Sequence, residues 1–68
     1  MQIISVEKYV CTDGWHAATL FSLNGHLPWD LYIFKNGIPE EGRRYIGKSA
    51  ALNFMRQYVP YHEWKPSD

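Results

Sequence analysis

Eight residues at positions 42–49, GRRYIGKS, have the types and spacing of a phosphate-binding loop, G-x-x-x-x-G-K-[ST]. In such a loop the backbone N–H groups surround the phosphates, the lysine adds positive charge and the hydroxyl binds Mg²⁺. The loop works only where a buried parallel strand precedes it and a helix begins directly after it. The surrounding elements therefore decide whether the match has chemical meaning.

The neighbourhood of GRRYIGKS does not suit a phosphate. Two glutamates come directly before Gly42, and the positions between the glycines include Tyr and Ile, which favour extended structure. A P-loop fold also needs further parallel strands, for which few residues remain after position 60. We therefore interpret Gly42 as a turn, Gly47 as a joint and Ser49 as a helix cap. A weaker alternative is that Lys48, Ser49 and the first N–H groups of the helix hold an anion.

Four potential metal ligands are scattered along the chain: Cys11, His16, His26 and His62. Their spacing lacks the paired C-x₂-C or H-x₃-H form of structural zinc sites. Cys11 beside a histidine could in principle act as a thiolate nucleophile, but a chain this short has little material to wall a pocket. The sequence predicts a protein that is not an enzyme and uses no metal or cofactor, with Cys11 as a strand residue.

Length, charge and cysteine content narrow the class of protein further. A chain of 68 residues forms one domain with a thin core. Seven basic residues balance seven acidic ones, whereas nucleic-acid binding usually depends on an excess of Lys and Arg. The chain has one cysteine, and its N-terminal apolar run is soon interrupted by charge. We therefore expect a cytoplasmic protein with neither a signal peptide nor a membrane span.

The apolar pattern predicts an antiparallel meander followed by a helix. Strands are expected at residues 3–11, 15–23 and 29–34, with hairpin signals at Asn24-Gly25 and Asn36-Gly37. Residues 38–42 are turn-like, and 43–46 form a short fourth strand or an extended lead-in. A helical stripe follows, capped by Ser49 and stopped by Pro60; it consists of Ala51, Leu52, Met55, Tyr58 and Val59.

These elements define an α+β fold, a three- to four-stranded antiparallel β-meander with one C-terminal α-helix packed on one face. Residues 1–60 are expected to form the domain. Residues 61–68 show no clear period and are expected to form a C-terminal tail, which could fold back on the sheet through Trp64.

The aromatic content is unusually high, with three Trp, five Tyr and three Phe. We divide seven of these rings between the sheet core and the seat of the helix: Trp15, Phe21, Trp29, Tyr32, Phe34, Phe54 and Tyr58. The other four have no assured place in so small a core. Tyr, Trp and Arg are the residue types enriched at protein interfaces. The candidate partner-binding residues are therefore Tyr9, Arg43, Arg44, Tyr45, Lys48, Arg56, Tyr61 and Trp64.

The sequence thus predicts a small non-catalytic protein–protein interaction module. Its size and style are typical of the accessory, anti-defence proteins that bacteriophages and mobile elements encode to inhibit or adapt a larger protein. It would bind that larger partner or assemble as a homo-oligomer. The alternative is a nucleic-acid-binding module that uses sheet aromatics and the basic cluster around Arg43, Arg44 and Lys48. A structural subunit with no activity alone is a third possibility.

Overall fold

The computed structural model describes residues 5–23 and 28–67. In chain order the elements are β1 (Ser5–Cys11), β2 (His16–Ser22), β3 (Trp29–Lys35), β4 (Ile38–Tyr45), α1 (Lys48–Tyr58) and β5 (Trp64–Ser67). The predicted turn at Asn24-Gly25 lies outside the described residues. At the second predicted turn, Asn36 and Gly37 both have positive φ, 54° and 79°, as a two-residue type I′ hairpin requires.

The described strands form one sheet in the order β4-β3-β2-β1-β5, and all neighbours are antiparallel. The α+β class is therefore confirmed, but the sheet has five strands instead of the predicted three or four. The additional strand is β5, in the segment treated as a tail. Trp64 pairs with Cys11, and Thr12 and Glu63 exchange two hydrogen bonds just beyond that pair. Pairing with β1 creates this strand, and a four-residue segment has too little periodicity of its own to predict it.

Strand β4 is longer than predicted, because residues 38–42 are part of it and do not form a turn. The register with β3 shifts between Ile33 and Phe34, which pair with Glu41 and Pro39 and leave Glu40 as the extra residue of a bulge. β4 is an edge strand, and an edge tolerates a proline that cannot donate to a ladder. The proline and the glutamates suggested a turn, whereas the edge position and the bulge make them compatible with a strand.

The helix begins two residues earlier than predicted. Gly47, with extended φ and ψ of −128° and 147°, is the N-cap, and Ser49 is already the second helical residue. Gly47 lacks a side chain that could accept a hydrogen bond from the first turn. The helix ends at Tyr58, just before Pro60, where the ring of proline would obstruct a further turn.

The core lies between this helix and one face of the sheet. Alternate residues of the central strands point into it, because side chains along a strand alternate between the faces. The buried cluster consists of Ala18, Leu20, Trp29, Leu31, Ile33, Ala51 and Met55. An 11-residue helix is about 16 Å long, so it covers this one face, which we call the helical face.

Gly42 is required because a tyrosine ring lies close to the β4 backbone on the face of the sheet opposite the helix. It pairs with Tyr32 across β3 and β4, and a Cβ at position 42 would lie 2.8 Å from Cε1 of the tyrosine ring. A side chain there would force the ring away from the strand. The glycine therefore lets Tyr32 lie over β4, as aromatic residues often do beside edge glycines.

Replacing Gly42 with serine should lower the free energy of unfolding by about 1–3 kcal/mol, as overpacking typically does. The matched control is Gly47→Ser, where a Cβ meets nothing within 4 Å and a hydroxyl can cap the helix, so stability should stay the same or rise by a few tenths of a kcal/mol. Urea denaturation of the two variants measures both. Equal stability of Gly42→Ser and the parent would contradict the close approach.

Candidate functional site

The face of the sheet opposite the helix is not covered by any described element, and we call it the open face. Its apolar side chains project from β1, β2 and β3, and three of them are well exposed: Val6 to 49%, Val10 to 42% and Tyr32 to 42%. The apolar residues of the open face are Val6, Val10, Ala17, Phe21, Tyr32 and Phe34. Apolar residues this close together on a sheet surface are typical of a binding surface.

The aromatic rings of the open face form an ordered group. Phe21 and Tyr32 lie diagonally across β2 and β3, with ring centroids 5.7 Å apart and planes 10° from parallel. Offset parallel rings at this distance attract each other beyond their burial. On its other side Tyr32 lies close over Gly42. The fold itself therefore brings the two rings together.

Charge is distributed unevenly between the two faces. Arg44 on the open face donates to Asp30 through Nε at 2.9 Å and through a terminal nitrogen at 3.3 Å. The hydrogen bond that Arg44 donates to Asp30 raises the pKa of Arg44. Lys8 and Lys65 share this face by strand register, and no carboxylate in the described ranges is within ion-pair distance of either. Three cations and one carboxylate leave the open face with an excess of two positive charges.

The described strand glutamates contact the helical side instead. Glu7 accepts hydrogen bonds from Lys48 and Tyr9, of which the bond from Lys48 contributes most to lowering its pKa. Glu41 pairs with Arg43 at 3.4 Å. The chain is neutral as a whole, but its two surfaces differ in charge.

The two adjacent arginines proposed from the sequence as one basic cluster point to opposite faces. Arg44 lies on the open face, whereas the Arg43 guanidinium lies 4.4 Å from the ring centroid of Phe54 on the helix. Consecutive residues of a strand alternate in direction, so the two side chains do not form one patch. Of the eight predicted partner-binding residues, only Arg44 lies on the open face as defined here.

Four of the other predicted residues help to attach the helix. Tyr9, Tyr45 and Trp64 pack against the buried cluster. Burial and the hydrogen bond to Glu7 raise the pKa of Tyr9 to about 12, and burial also raises the pKa of Tyr45. Lys48 places its ammonium 5.5 Å from the ring centroid of Trp29. The last two predicted residues, Arg56 and Tyr61, are exposed away from the open face.

Arg56 lines a shallow depression of about 440 Å³ with His62, Glu63 and Trp64, where the helix meets β5. Tyr61, in the connecting loop, has φ of 70° and a fully exposed side chain. The indole N–H of Trp64 is buried and has no hydrogen-bond partner among the described residues. The other three residues that line this depression are exposed.

A second polar group lies at the turn between β1 and β2. His16 places Nδ1 2.5 Å from Asp13 and Nε2 3.3 Å from Glu40, and Glu40 also accepts from Tyr58. Asp13 accepts backbone N–H bonds from Trp15 and His16. Desolvation alone would raise the pKa of Asp13, but these bonds and the histidine outweigh it and lower the pKa. The group joins the turn, the β4 bulge and the helix end.

The structure bears on three features that the sequence suggested: the thiol nucleophile, the phosphate loop and the metal ligands. Burial raises the pKa of the Cys11 thiol, which disfavours the thiolate a nucleophile would need. Residues 42–45 of GRRYIGKS belong to an antiparallel edge strand, so the segment does not form a P-loop. Across residues 5–23 and 28–67, no group of three or more His, Cys, Asp or Glu side chains is arranged so that it could hold a metal ion.

Sequence analysis missed most of the open face. It assigned Phe21, Tyr32 and Phe34 to the core and the seat of the helix, whereas all three lie on the opposite side. The signal was in the alternation of β3: Asp30 shares a face with Tyr32 and Phe34, and a carboxylate in the series marks that face as solvated. Lys8 between Val6 and Val10 gives the same indication in β1.

Comparisons with protein-family models, with curated proteins and with solved structures found no significant match. Among the described helical residues, none belongs to a helix long and apolar enough to cross a membrane.

Asp13 should make stability depend on pH in the acidic range. Because its pKa is lower in the folded chain than in the unfolded one, its charge stabilises the fold fully above the unfolded value of about 3.9. This contribution is lost as the pH falls through the lower, folded pKa. Asp13→Asn retains an acceptor for the turn but removes the charge. We expect the difference in Tm between the parent and Asp13→Asn to be largest at about pH 5 and to shrink toward pH 2; a constant difference would contradict the pKa assignment.

Proposed function

We propose that this chain is a non-catalytic protein–protein interaction module that docks a larger protein on its open face. The supporting observation is that an apolar sheet surface of three strands stays exposed when the helix covers the other side. Exposed patches of this kind on a small domain usually mark an interaction site. A cytoplasmic inhibitor or adaptor of the accessory type remains the functional setting that we propose.

The layout of the open face resembles that of a protein interface. Apolar and aromatic residues occupy its middle, and the charged groups Arg44 and Lys65 lie on the outer strands β4 and β5. Interfaces commonly combine an apolar centre with a polar rim. Lys65 has no described carboxylate partner, and Lys8, which lies on the inner strand β1, adds a second such cation. The matching surface of the larger protein should therefore carry carboxylates opposite these two lysines.

A nucleic-acid-binding function is the second candidate, and one observation favours it. The stacked rings of Phe21 and Tyr32 lie on the same face as Lys8 and Lys65, and aromatic platforms beside cations bind single strands by stacking and charge. The exposed valines of β1 and the carboxylate of Asp30 fit a protein surface better. We therefore rank the protein partner first.

Substitution of Val6 with aspartate should remove the partner from the open face. Tagged parent protein is used to retain proteins from cell lysate, with and without nuclease, and the retained proteins are identified by mass spectrometry. We expect one larger protein to be retained by the parent after nuclease treatment and to decrease at least tenfold with Val6→Asp, because a buried carboxylate without a partner is strongly unfavourable. The matched control is Ile46→Asp, an exposed residue between β4 and α1, which should retain the partner.

Equal retention by Val6→Asp and by the parent would contradict docking on the open face. Proteins that disappear on nuclease treatment would instead support the nucleic-acid candidate. In that case Lys8→Glu and Lys65→Glu together should weaken binding of a labelled single-stranded oligonucleotide in fluorescence anisotropy, and the parent's affinity should fall steeply with salt. Lys35→Glu is the charge-matched control, because Lys35 does not share the open face by strand alternation.

A further inference from the structure

We propose that, when no larger partner is present, the open face is covered by a second copy of this chain, packed sheet against sheet around a two-fold axis that runs along β2. This inference rests on the proposed function, because it uses the same surface and describes how that surface is regulated. The homodimer would hide the docking residues, and a larger partner would displace one copy to bind the other.

The size of the open face fits a weak dimer. With strands about 4.8 Å apart and residues rising about 3.3 Å, it measures roughly 500 Å² in projection. A stable, specific interface usually buries about 800 Å² on each partner. Two such faces bury about 1,000 Å² in total, which is below the roughly 1,200–2,000 Å² of stable interfaces and within the range of weak, transient ones. Such a dimer forms at high protein concentration and dissociates on dilution, as a displaceable cover must.

The strand register makes two of the three rows of the open face complementary to themselves. Lys8, Thr19 and Tyr32 form one row across β1, β2 and β3. With a two-fold axis along β2, each row of one copy faces the same row of the other copy. Strand β1 of one copy then lies over β3 of the other. Lys8 of one copy then lies against the Tyr32 ring of the other, and the contact is made twice, as in every isologous interface. A cation over a tyrosine ring is a favourable contact.

The neighbouring row follows the same rule. Val10 and Phe34 lie on β1 and β3 opposite Ala17, so the axis places the valine of one copy against the phenylalanine of the other. Aligned sheets pack with their strands rotated by about 30°, which moves facing residues of the central row by about 2.5 Å, less than one residue along a strand. The pairing of rows therefore survives the twist of the sheets. In the third row, which consists of Val6, Phe21 and Asp30, the same axis places Val6 against Asp30, whose carboxylate is bonded to Arg44.

The positive charge of the open face selects this axis over the alternative. A two-fold axis across the strands would place Lys8 against Lys8 of the second copy, and like charges in a partly dehydrated interface repel. With the axis along β2, the cationic strands β1 and β5 lie over the aromatic strand β3 and its neighbour β4. The three unpaired or exposed groups Lys8, Val10 and Tyr32 then all gain a contact.

The first test measures the mass of the purified full chain by sedimentation or light scattering over a range of concentrations. We expect a dimer at high concentration and a monomer on dilution. Val10→Asp should raise the dissociation constant at least tenfold, while Ile46→Asp, the same change at an exposed site off the open face, should leave it unchanged. Circular dichroism establishes that both variants are folded. If Val10→Asp fails to fold, Lys8→Glu at an exposed position replaces it and should also weaken the dimer.

The second test locates the axis with a short bismaleimide cross-linker. Thr19 lies on β2 in the central row, so Thr19→Cys should give a covalent dimer in high yield, because the axis brings the two copies of this residue together. Asn53→Cys on the exposed side of the helix should not. The natural Cys11 is buried, and the parent protein controls for any reaction there.

A parent chain that stays monomeric at all concentrations would overturn the homodimer, and so would a dimer that neither Val10→Asp nor Lys8→Glu weakens. Cross-linking through position 53 in preference to position 19 would place the contact on another surface and reject the axis. A monomer that binds a single-stranded oligonucleotide through Lys8 would replace the second copy with nucleic acid as the occupant. Each of these results is distinct from failure to retain a larger protein, which tests the proposed function itself.

Discussion

One helix of about 16 Å can cover only one face of a five-stranded sheet, and this constraint determines the rest of the molecule. Met55 and Ala51 provide the buried surface of the helix, and Leu20, Leu31 and Ile33 provide that of the sheet. The remaining apolar strand residues then have no described element to pack against. The exposed open face is therefore a direct consequence of how the small core is built, since only one of its two faces packs against the helix.

The meander and the helix could be predicted from the sequence because their signals are local. Asn36-Gly37 specifies its turn through residues that adopt positive φ, and the apolar stripe of the helix repeats over three turns. Strand β5 and the first half of β4 depend instead on tertiary pairing. The four residues of β5 are held by β1, and Pro39 is accepted because β4 lies at an edge. Neither fact is encoded near those residues.

The open face was harder to predict because aromatic residues suit both a core and an exposed surface. Tyr32 and Trp29 are both large rings in the same strand, three residues apart, yet Trp29 is buried and Tyr32 is exposed. Only the strand alternation separates them. Arg43 and Arg44 were misjudged for the same reason. Their adjacency in sequence suggested one shared patch, but neighbouring side chains of a strand point to opposite faces. The alternation of side chains along each strand decides which residues lie on the open face.

The two outer strands each carry a proline, Pro39 in β4 and Pro66 in β5. A proline has no N–H to offer a neighbouring strand, and β4 is bent as well by its bulge. Both edges are therefore poor templates for the addition of another chain by backbone pairing. An assembly that forms through the open face buries that face in one contact. The sheet edges that stay exposed do not readily pair with further chains. In the homodimer that we propose, the end point would be a closed pair that does not polymerise.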